Sequence, residues 1–178
     1  ERNYYKPFNY PWAFEAYKMQ QQMHWMPEEV SLADDLKDFR EKLTEPNKRL
    51  LSQIFRFFTQ ADVDVCAGYA EHYLPNFKQP EVRMMLASFA SMEAVHQEAY
   101  SLLLETLGFG DEEYQMFLEY QAMLDKHEYL SNFGTRNPTD LAKTMAIYSG
   151  FTEGVQLFSS FAILLNFPRH NLMKGMGQ

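Results

Sequence analysis

The stretch Ser91-Met92-Glu93-Ala94-Val95-His96-Gln97-Glu98-Ala99-Tyr100 decides how this chain is read. It lies inside a long helical pattern, with Met84, Met85, Leu86 and Phe89 before it and Leu102, Leu103 and Leu104 after it. Glu93 and His96 are spaced i,i+3, and Tyr100 follows His96 by four residues. One face of a helix therefore stacks a carboxylate, an imidazole and a phenol. A polar line in so apolar a helix carries a desolvation cost unless it is paired. Its partners must come from the rest of the chain.

The chain has 178 residues, enough for one domain with a sizeable core. Apolar residues make up 46% of it, which marks a globular chain rather than a disordered one. The formal net charge is −8, and no run of Lys or Arg forms a basic patch. That argues against a nucleic-acid partner and against an anionic membrane surface. The longest strongly apolar run, Phe158 to Phe167, is too short and too interrupted to span a bilayer. No secretory signal is visible. One cysteine, Cys66, excludes an internal disulfide and points to a reducing, cytoplasmic setting. It reads as a small core residue. The chain opens on Glu1 rather than Met and closes on Gly175-Met176-Gly177-Gln178, so both ends read as cuts in a longer protein.

Residues 1–11 are aromatic, and Pro7 and Pro11 discourage helix there. A helix is predicted over 12–26, ended by Pro27, with Trp25 at its boundary. On its own, that Trp reads as packing. Ser31 is the expected cap of a short helix over 32–43, with Asp34 and Asp35 in its first turn. Asn47 is the expected cap of a long helix to about Tyr73. Leu50, Leu51, Ile54, Phe57, Phe58, Ala61, Val65 and Tyr69 keep helical spacing along it. Residues 74–80 make a turn, and the helix holding the opening stretch spans 81–107, stopped by Gly108 and Gly110. A helix over 111–131 presents Tyr114, Phe117, Leu118, Tyr120, Met123 and Leu124 as its apolar face. After a turn at 132–138, Thr139 caps a last long helix to about Phe167. Nothing alternates like a strand. The pattern predicts one all-α domain over 1–178, a bundle of long helices with short connections.

If the helices flanking the turn at 74–80 form an antiparallel hairpin, residues equidistant from its centre lie level. Asp62 and Glu93 meet that condition. Spacing leaves the rotation of the helix open, so Asp64, or neither residue, could face inward. Glu153 adds a second candidate, as the only acid between Asp140 and the end of the chain, set in an apolar segment. Arg56 and Arg83 are the only nearby cations in sequence that could pair with these acids. An isolated Glu-x-x-His is weak evidence, and Tyr100 is one of 11 tyrosines. Bundle cores lined by Glu and Glu-x-x-His are, however, how ferritin-like proteins hold two metals. Carboxylate oxygens with one imidazole per metal suit iron or manganese.

At these residues the chain resembles the small, radical-bearing subunit of class I ribonucleotide reductase, across essentially its whole length. Phe57-Phe58-Thr59-Gln60-Ala61-Asp62 resembles the segment carrying the family's first metal-binding aspartate. Ser91 to Leu104 resembles its most specific signature. The resemblance implies Glu93 and His96 as ligands and Tyr100 as the radical tyrosine. Thr152-Glu153-Gly154, with Leu172-Met173-Lys174-Gly175-Met176 further on, is similar to a third segment, which implies Glu153 as a ligand of the second metal. Trp25-Met26-Pro27-Glu28-Glu29 is similar to the segment whose tryptophan carries long-range electron transfer, which overrides the packing reading of Trp25. Leu157 and Phe161 match positions of the apolar pocket around the radical. The implied cofactor is di-iron, or manganese, or a mixed Mn/Fe pair. The implied partners are a large subunit, which holds the substrate site and the redox cysteines, and a second small subunit in a homodimer. The implied activity is reduction of ribonucleotides to deoxyribonucleotides, which serves DNA replication.

The chain departs from the family beyond Glu153. The family supplies a second Glu-x-x-His on a later helix, and none follows here before Gln178. The expected fold is therefore a ferritin-like bundle incomplete at the C-terminus. His24, His72, His127 and His170 read as surface or structural. The chain alone is expected to lack a complete two-metal centre, as a fragment or as part of a split subunit. The alternatives are another ferritin-like di-metal oxidase, such as a ligand-binding oxidase or hydroxylase, and a metal-poor helical subunit serving assembly.

Overall fold

The computed structural model describes residues 4–178, apart from the side chains of Phe117 and Leu118. The expectation for those two side chains therefore lies outside the described residues. Among the described residues every regular element is helical. Helix α1 (Pro11–Gln22) begins on a proline, whose missing N–H is harmless at a first helical position. Pro11 thus opens a helix rather than discouraging one, and α1 ends short of Met26. A 3-10 turn (Pro27–Glu29) leads to α2 (Ala33–Glu41). Leu32, not Ser31, precedes α2, with no side-chain cap. Helix α3 (Glu45–Gly68) is capped by Thr44, whose Oγ1 accepts from the Asn47 N–H at 3.5 Å. The expected cap, Asn47, is the donor. A π-helical turn, Tyr69–Tyr73, extends α3.

Helix α4 (Pro80–Leu107) returns antiparallel to α3. Gln97 Nε2 donates to the Asp62 carbonyl at 3.1 Å, and Cys66 Sγ donates to the Ala90 carbonyl at 3.6 Å. These two bonds set the register of the hairpin. Gly108 ends α4 in the left-handed region, at φ 90°, where a Cβ would be strained. The single helix expected over 111–131 is instead α5 (Glu112–Gln115), a 3-10 turn (Met116–Glu119) and α6 (Gln121–Ser131). Tertiary bonds on either side of the break explain it. Arg56 pairs with Glu113, and Gln53 Nε2 donates to the Tyr120 hydroxyl at 2.9 Å, so α3 holds both pieces.

The last helix is also divided. Helix α7 (Pro138–Ala146) is capped by Asn137, whose side chain accepts from the Asp140 N–H at 2.9 Å, not by Thr139. A π-helical segment, Ile147–Leu157, follows, then α8 (Phe158–Leu164) and α9 (Asn166–Arg169). In the wide π turn a Cβ on Gly154 would sit 3.1 Å from the Ser149 carbonyl, so glycine fits best there.

Two hydrophobic clusters lie along the α3/α4 hairpin. One joins Leu51, Phe55 and Phe58 of α3 to Leu103, Leu104 and Leu107 of α4. The other joins Val65 and Tyr73 to Val82, Met85, Leu86 and Tyr148. Asp62 and Glu93 fall between them. Burial corrects two readings of the α3 pattern: Leu50 is exposed, and Phe55, outside the predicted set, is fully buried. Each cluster is closed by a buried carboxylate holding an end segment. Asp35 accepts from the Gly175 and Met176 N–H groups at 2.8 and 2.6 Å, and Asp38 accepts from Met173 N–H at 3.0 Å. Asp35, in the first turn of α2 as expected, is also a buried anchor. At the other end, Glu81 accepts from the Asn9 and Tyr10 N–H groups at 2.7 and 3.0 Å. The run from Phe158 does not close over itself: Phe151, Val155, Phe158 and Leu165 form an exposed apolar stripe on one face.

Candidate metal centre

The α3/α4 register brings Asp62, Glu93 and His96 together, each offering a ligand atom within 4.8 Å of the others. Asp62 and Glu93 are buried and His96 is half-buried. His96 Nδ1 lies 3.3 Å from Glu93 Oε2. Asp62 Oδ2 is buried without a hydrogen-bond partner. Such an orphaned carboxylate oxygen carries a cost that a bound cation removes. Two carboxylates and one imidazole fit iron or manganese. Asp64 does not join them. Its Oδ1 meets His127 Nδ1 at 2.8 Å and accepts from Gln60 Nε2 at 3.0 Å, which makes His127 structural.

The electrostatics are those of acids crowded without their counter-charge. Burial, then the Glu93 charge, pushes Asp62 up to about 8. Burial and Glu93 push Glu153 up to about 7. Glu153 is half-buried on the π segment and feels Glu93 and His96, but stands outside the tight trio. Burial works against a charge on His96, but the bond from Glu93 and the charges of Glu93, Asp62 and Glu153 outweigh it and raise its pKa.

Tyr100 stacks on Phe58, with ring centroids 4.8 Å apart, and Phe161 packs against Phe58 at 5.2 Å. Leu157 packs against the same cluster. Burial raises the Tyr100 pKa, so its hydroxyl stays protonated at neutral pH. The Trp25 ring lies 6.4 Å from that of His96. Trp25, His96 and Tyr100 line an apolar cavity of about 580 Å³. A smaller cavity, about 410 Å³, is lined by Trp25, Glu93, His96 and Tyr69.

Two residues near the site escaped the reading of the sequence. Lys126 of α6 carries a buried Nζ without a hydrogen-bond partner, 4.7 Å above the Phe57 ring. Burial lowers its pKa, and the Asp64 and Glu153 charges oppose that shift. Lys126 is remote from Asp64 in sequence, so no spacing could have revealed it. Tyr69 was visible only as one more aromatic on the α3 stripe.

The family model described as "Ribonucleotide reductase, small chain" matches residues 2–178. The chain belongs to the ribonucleotide reductase small-subunit family. It is 47% identical to the "Probable ribonucleoside-diphosphate reductase small subunit" of Invertebrate iridescent virus 6, over 99% of this chain and 53% of that protein. It is similar to a solved ribonucleotide reductase R2 subunit from Clostridium botulinum, with TM-score 0.80 and 25% identity over 95% of this chain and 55% of that one. It also shares its fold with a mutant R2-like ligand-binding oxidase solved with an Mn/Fe cofactor, with TM-score 0.72 and 20% identity over 93% of this chain and 64% of that one. The all-α bundle expected from the helical pattern, and the ferritin-like class implied by the resemblance, are the fold of this family. The chain spans about half the length of the curated relatives it matches. No helix among the described residues is long and apolar enough to cross a membrane.

Proposed function

We propose that this chain carries the metal- and radical-bearing part of a ribonucleoside-diphosphate reductase small subunit. The observation that supports it most is the Asp62, Glu93 and His96 trio within 4.8 Å, with an orphaned carboxylate oxygen. These three would hold the first metal, and Glu153 would contribute to the second. When bound and oxidised by dioxygen, iron or manganese would supply an acceptor for one electron from a nearby phenol. Tyr100 is the assigned donor. It enters as a neutral phenol, because burial disfavours the phenolate. Phe58 stacks on its ring, Phe161 packs on Phe58 and Leu157 joins the same cluster, which gives Tyr100 neighbours that resist oxidation. Trp25 and His96 form the outward path for the oxidising equivalent, toward a large subunit that reduces the ribonucleotide. The small subunit acts as a homodimer in the cytoplasm, and the deoxyribonucleotides made serve DNA replication.

Three ligands gather at one metal position and a single carboxylate at the other. The exposed stripe of Phe151, Val155, Phe158 and Leu165 beside Glu153 is the face on which the remaining helical surface of the centre would pack. Manganese(II) titration followed by electron paramagnetic resonance tests the ligand assignment. One tight site per chain is expected, lost in Asp62→Ala and His96→Ala and retained in Glu153→Ala. Unchanged binding in Asp62→Ala would sink the assignment. The cavity of about 580 Å³ beside Tyr100 favours a second reading, a ligand-binding oxidase. Co-purification of an apolar molecule seated in that cavity would favour it over the reductase.

A further inference from the structure

The two helices that carry the candidate ligands are tied together by two bonds from side chain to backbone, one in each direction. Gln97 of α4 donates through Nε2 to the Asp62 carbonyl of α3 at 3.1 Å. Cys66 of α3 donates through Sγ to the Ala90 carbonyl of α4 at 3.6 Å. Glu93 and His96 lie on α4 between Ala90 and Gln97, so the two bonds bracket the trio. The bonds are unequal. A thiol is a weak donor, whereas the amide of Gln97 is a full one, and it holds the backbone of a ligand residue itself.

Asp62 needs such a hold. Asp62 and Glu93 offer ligand atoms within 4.8 Å of one another. Two carboxylates so close repel when no cation lies between them, and turning α3 about its axis would separate them. Asp64, two residues on, is held by His127 of α6 at 2.8 Å. Helix α3 is therefore gripped by α4 at Asp62 and by α6 at Asp64, which fixes its rotation. The Asp62 carbonyl lies well inside α3, where the helix's own ladder also bonds it. Loss of the Gln97 bond thus leaves no orphaned carbonyl. What is lost is a restraint on where Asp62 sits.

We propose that Gln97 is a positioning residue of the metal centre, whose bond to the Asp62 carbonyl sets α3 so that the Asp62 carboxylate meets Glu93 and His96 at one cation. Gln97 does not ligate the cation. It holds the ligands in the bound arrangement beforehand, so its loss is read in metal affinity more than in stability. The proposal rests on the ligand assignment above.

The test is manganese(II) titration of the full chain, followed by electron paramagnetic resonance, beside thermal melts of the metal-free proteins. Gln97→Met keeps the length of the side chain and removes the donor. It is expected to weaken the tight site roughly ten- to a hundredfold, the range for residues that orient metal ligands. Gln97→Asn keeps the amide but is one methylene too short, and is expected to weaken the site as well. Gln53→Met is the control, because it breaks the bond from α3 to Tyr120, away from the trio. Small shifts of melting temperature are expected in all three, and an unchanged manganese(II) affinity in Gln53→Met alone. Wild-type affinity in Gln97→Met overturns the role of Gln97. An equal loss in Gln53→Met also overturns it, since any loosening of α3 would then weaken the site. If the melt shows that Gln97→Met does not fold, Gln97→Asn is judged by the same two criteria. A wild-type chain with no tight manganese(II) site overturns the ligand assignment, and this proposal with it.

Discussion

On one side of Asp62 and Glu93 the core is built of phenylalanine and leucine, and on the other it is rich in tyrosine. The first side holds Phe55, Phe58, Leu103 and Leu104 against Tyr100. The second holds Tyr73 and Tyr148 with Tyr69 packed against them. Both sides are buried, and both are closed by a carboxylate gripping backbone N–H groups. What differs is the ring packed on each phenol, phenylalanine at Tyr100 and tyrosine at Tyr69. Tyr100 stacks on Phe58, and Trp25 lines the cavity beside it. Tyr69 stands edge-on to Tyr73, whose hydroxyl is buried without a hydrogen-bond partner. Equal burial thus leaves the two phenols in different redox surroundings.

The largest change on the Tyr100 side should come from Phe58→Ala. Phe58 is fully buried and carries the stack on Tyr100, so its loss should cost about 3–5 kcal/mol. Denaturant unfolding reads that cost, and the lifetime of the Tyr100 radical should shorten in parallel. A normal lifetime in a folded variant would break the link between this packing and radical persistence.

The acids between the two sides should make the metal-free chain unusually sensitive to pH. Asp62 has an ordinary value of 3.8 and is pushed up to about 8 when folded, by burial and by Glu93. Between those values the folded state holds a proton that the unfolded state has lost. Stability therefore falls as pH rises through this window and levels off above it. Glu153, raised to about 7, and His96, also raised, act in the same direction. Going from about pH 5.5 to about pH 8.5 should cost on the order of 3 kcal/mol without metal. Asp62→Asn should flatten the slope. Adding manganese(II) should reverse it, because metal binding needs the ionised carboxylate. Thermal melts at the two pH values, with and without metal, check both signs.

Asp35→Ala tests how the Tyr100 side is closed. It removes the acceptor for Gly175 and Met176 N–H and should cost about 2 kcal/mol. Hydrogen exchange should quicken over residues 173–176 and stay unchanged at Asn9 and Tyr10, which Glu81 holds. Equal quickening at both ends would show that the two sides open as one unit. The smallest effect, of opposite sign, belongs to Tyr73→Phe. It deletes a buried hydroxyl that has no partner and should raise stability by about 1 kcal/mol. A loss of stability there would mean that the hydroxyl is satisfied in solution.

Most of the fold is legible in the sequence, because helical periodicity is a local property. The apolar spacing along α3 and α4, the turn at 74–80 and the stop at Gly108 are all set by residues near one another in sequence. Helix ends were less legible. Thr44 and Asn137 took the caps expected of Asn47 and Thr139, since several capping residues stood side by side and only backbone geometry chooses among them. The division of the expected 111–131 helix depended on Arg56 and Gln53, which lie on another helix.

The candidate metal residues show the same boundary. Glu93, His96 and Tyr100 could be read as one line because a helix fixes i,i+3 and i,i+4 neighbours, and the hairpin arithmetic placed Asp62 level with Glu93. That arithmetic left Asp62 and Asp64 as alternatives, because rotation about the helix axis is decided by packing. The tertiary structure turned Asp62 toward Glu93 and gave Asp64 to His127. It alone brought Lys126 and Glu153 near the acids, and it alone set Tyr69 in a cavity with Glu93. Local spacing orders residues along one helix, whereas contacts between helices arise only when whole faces bury together.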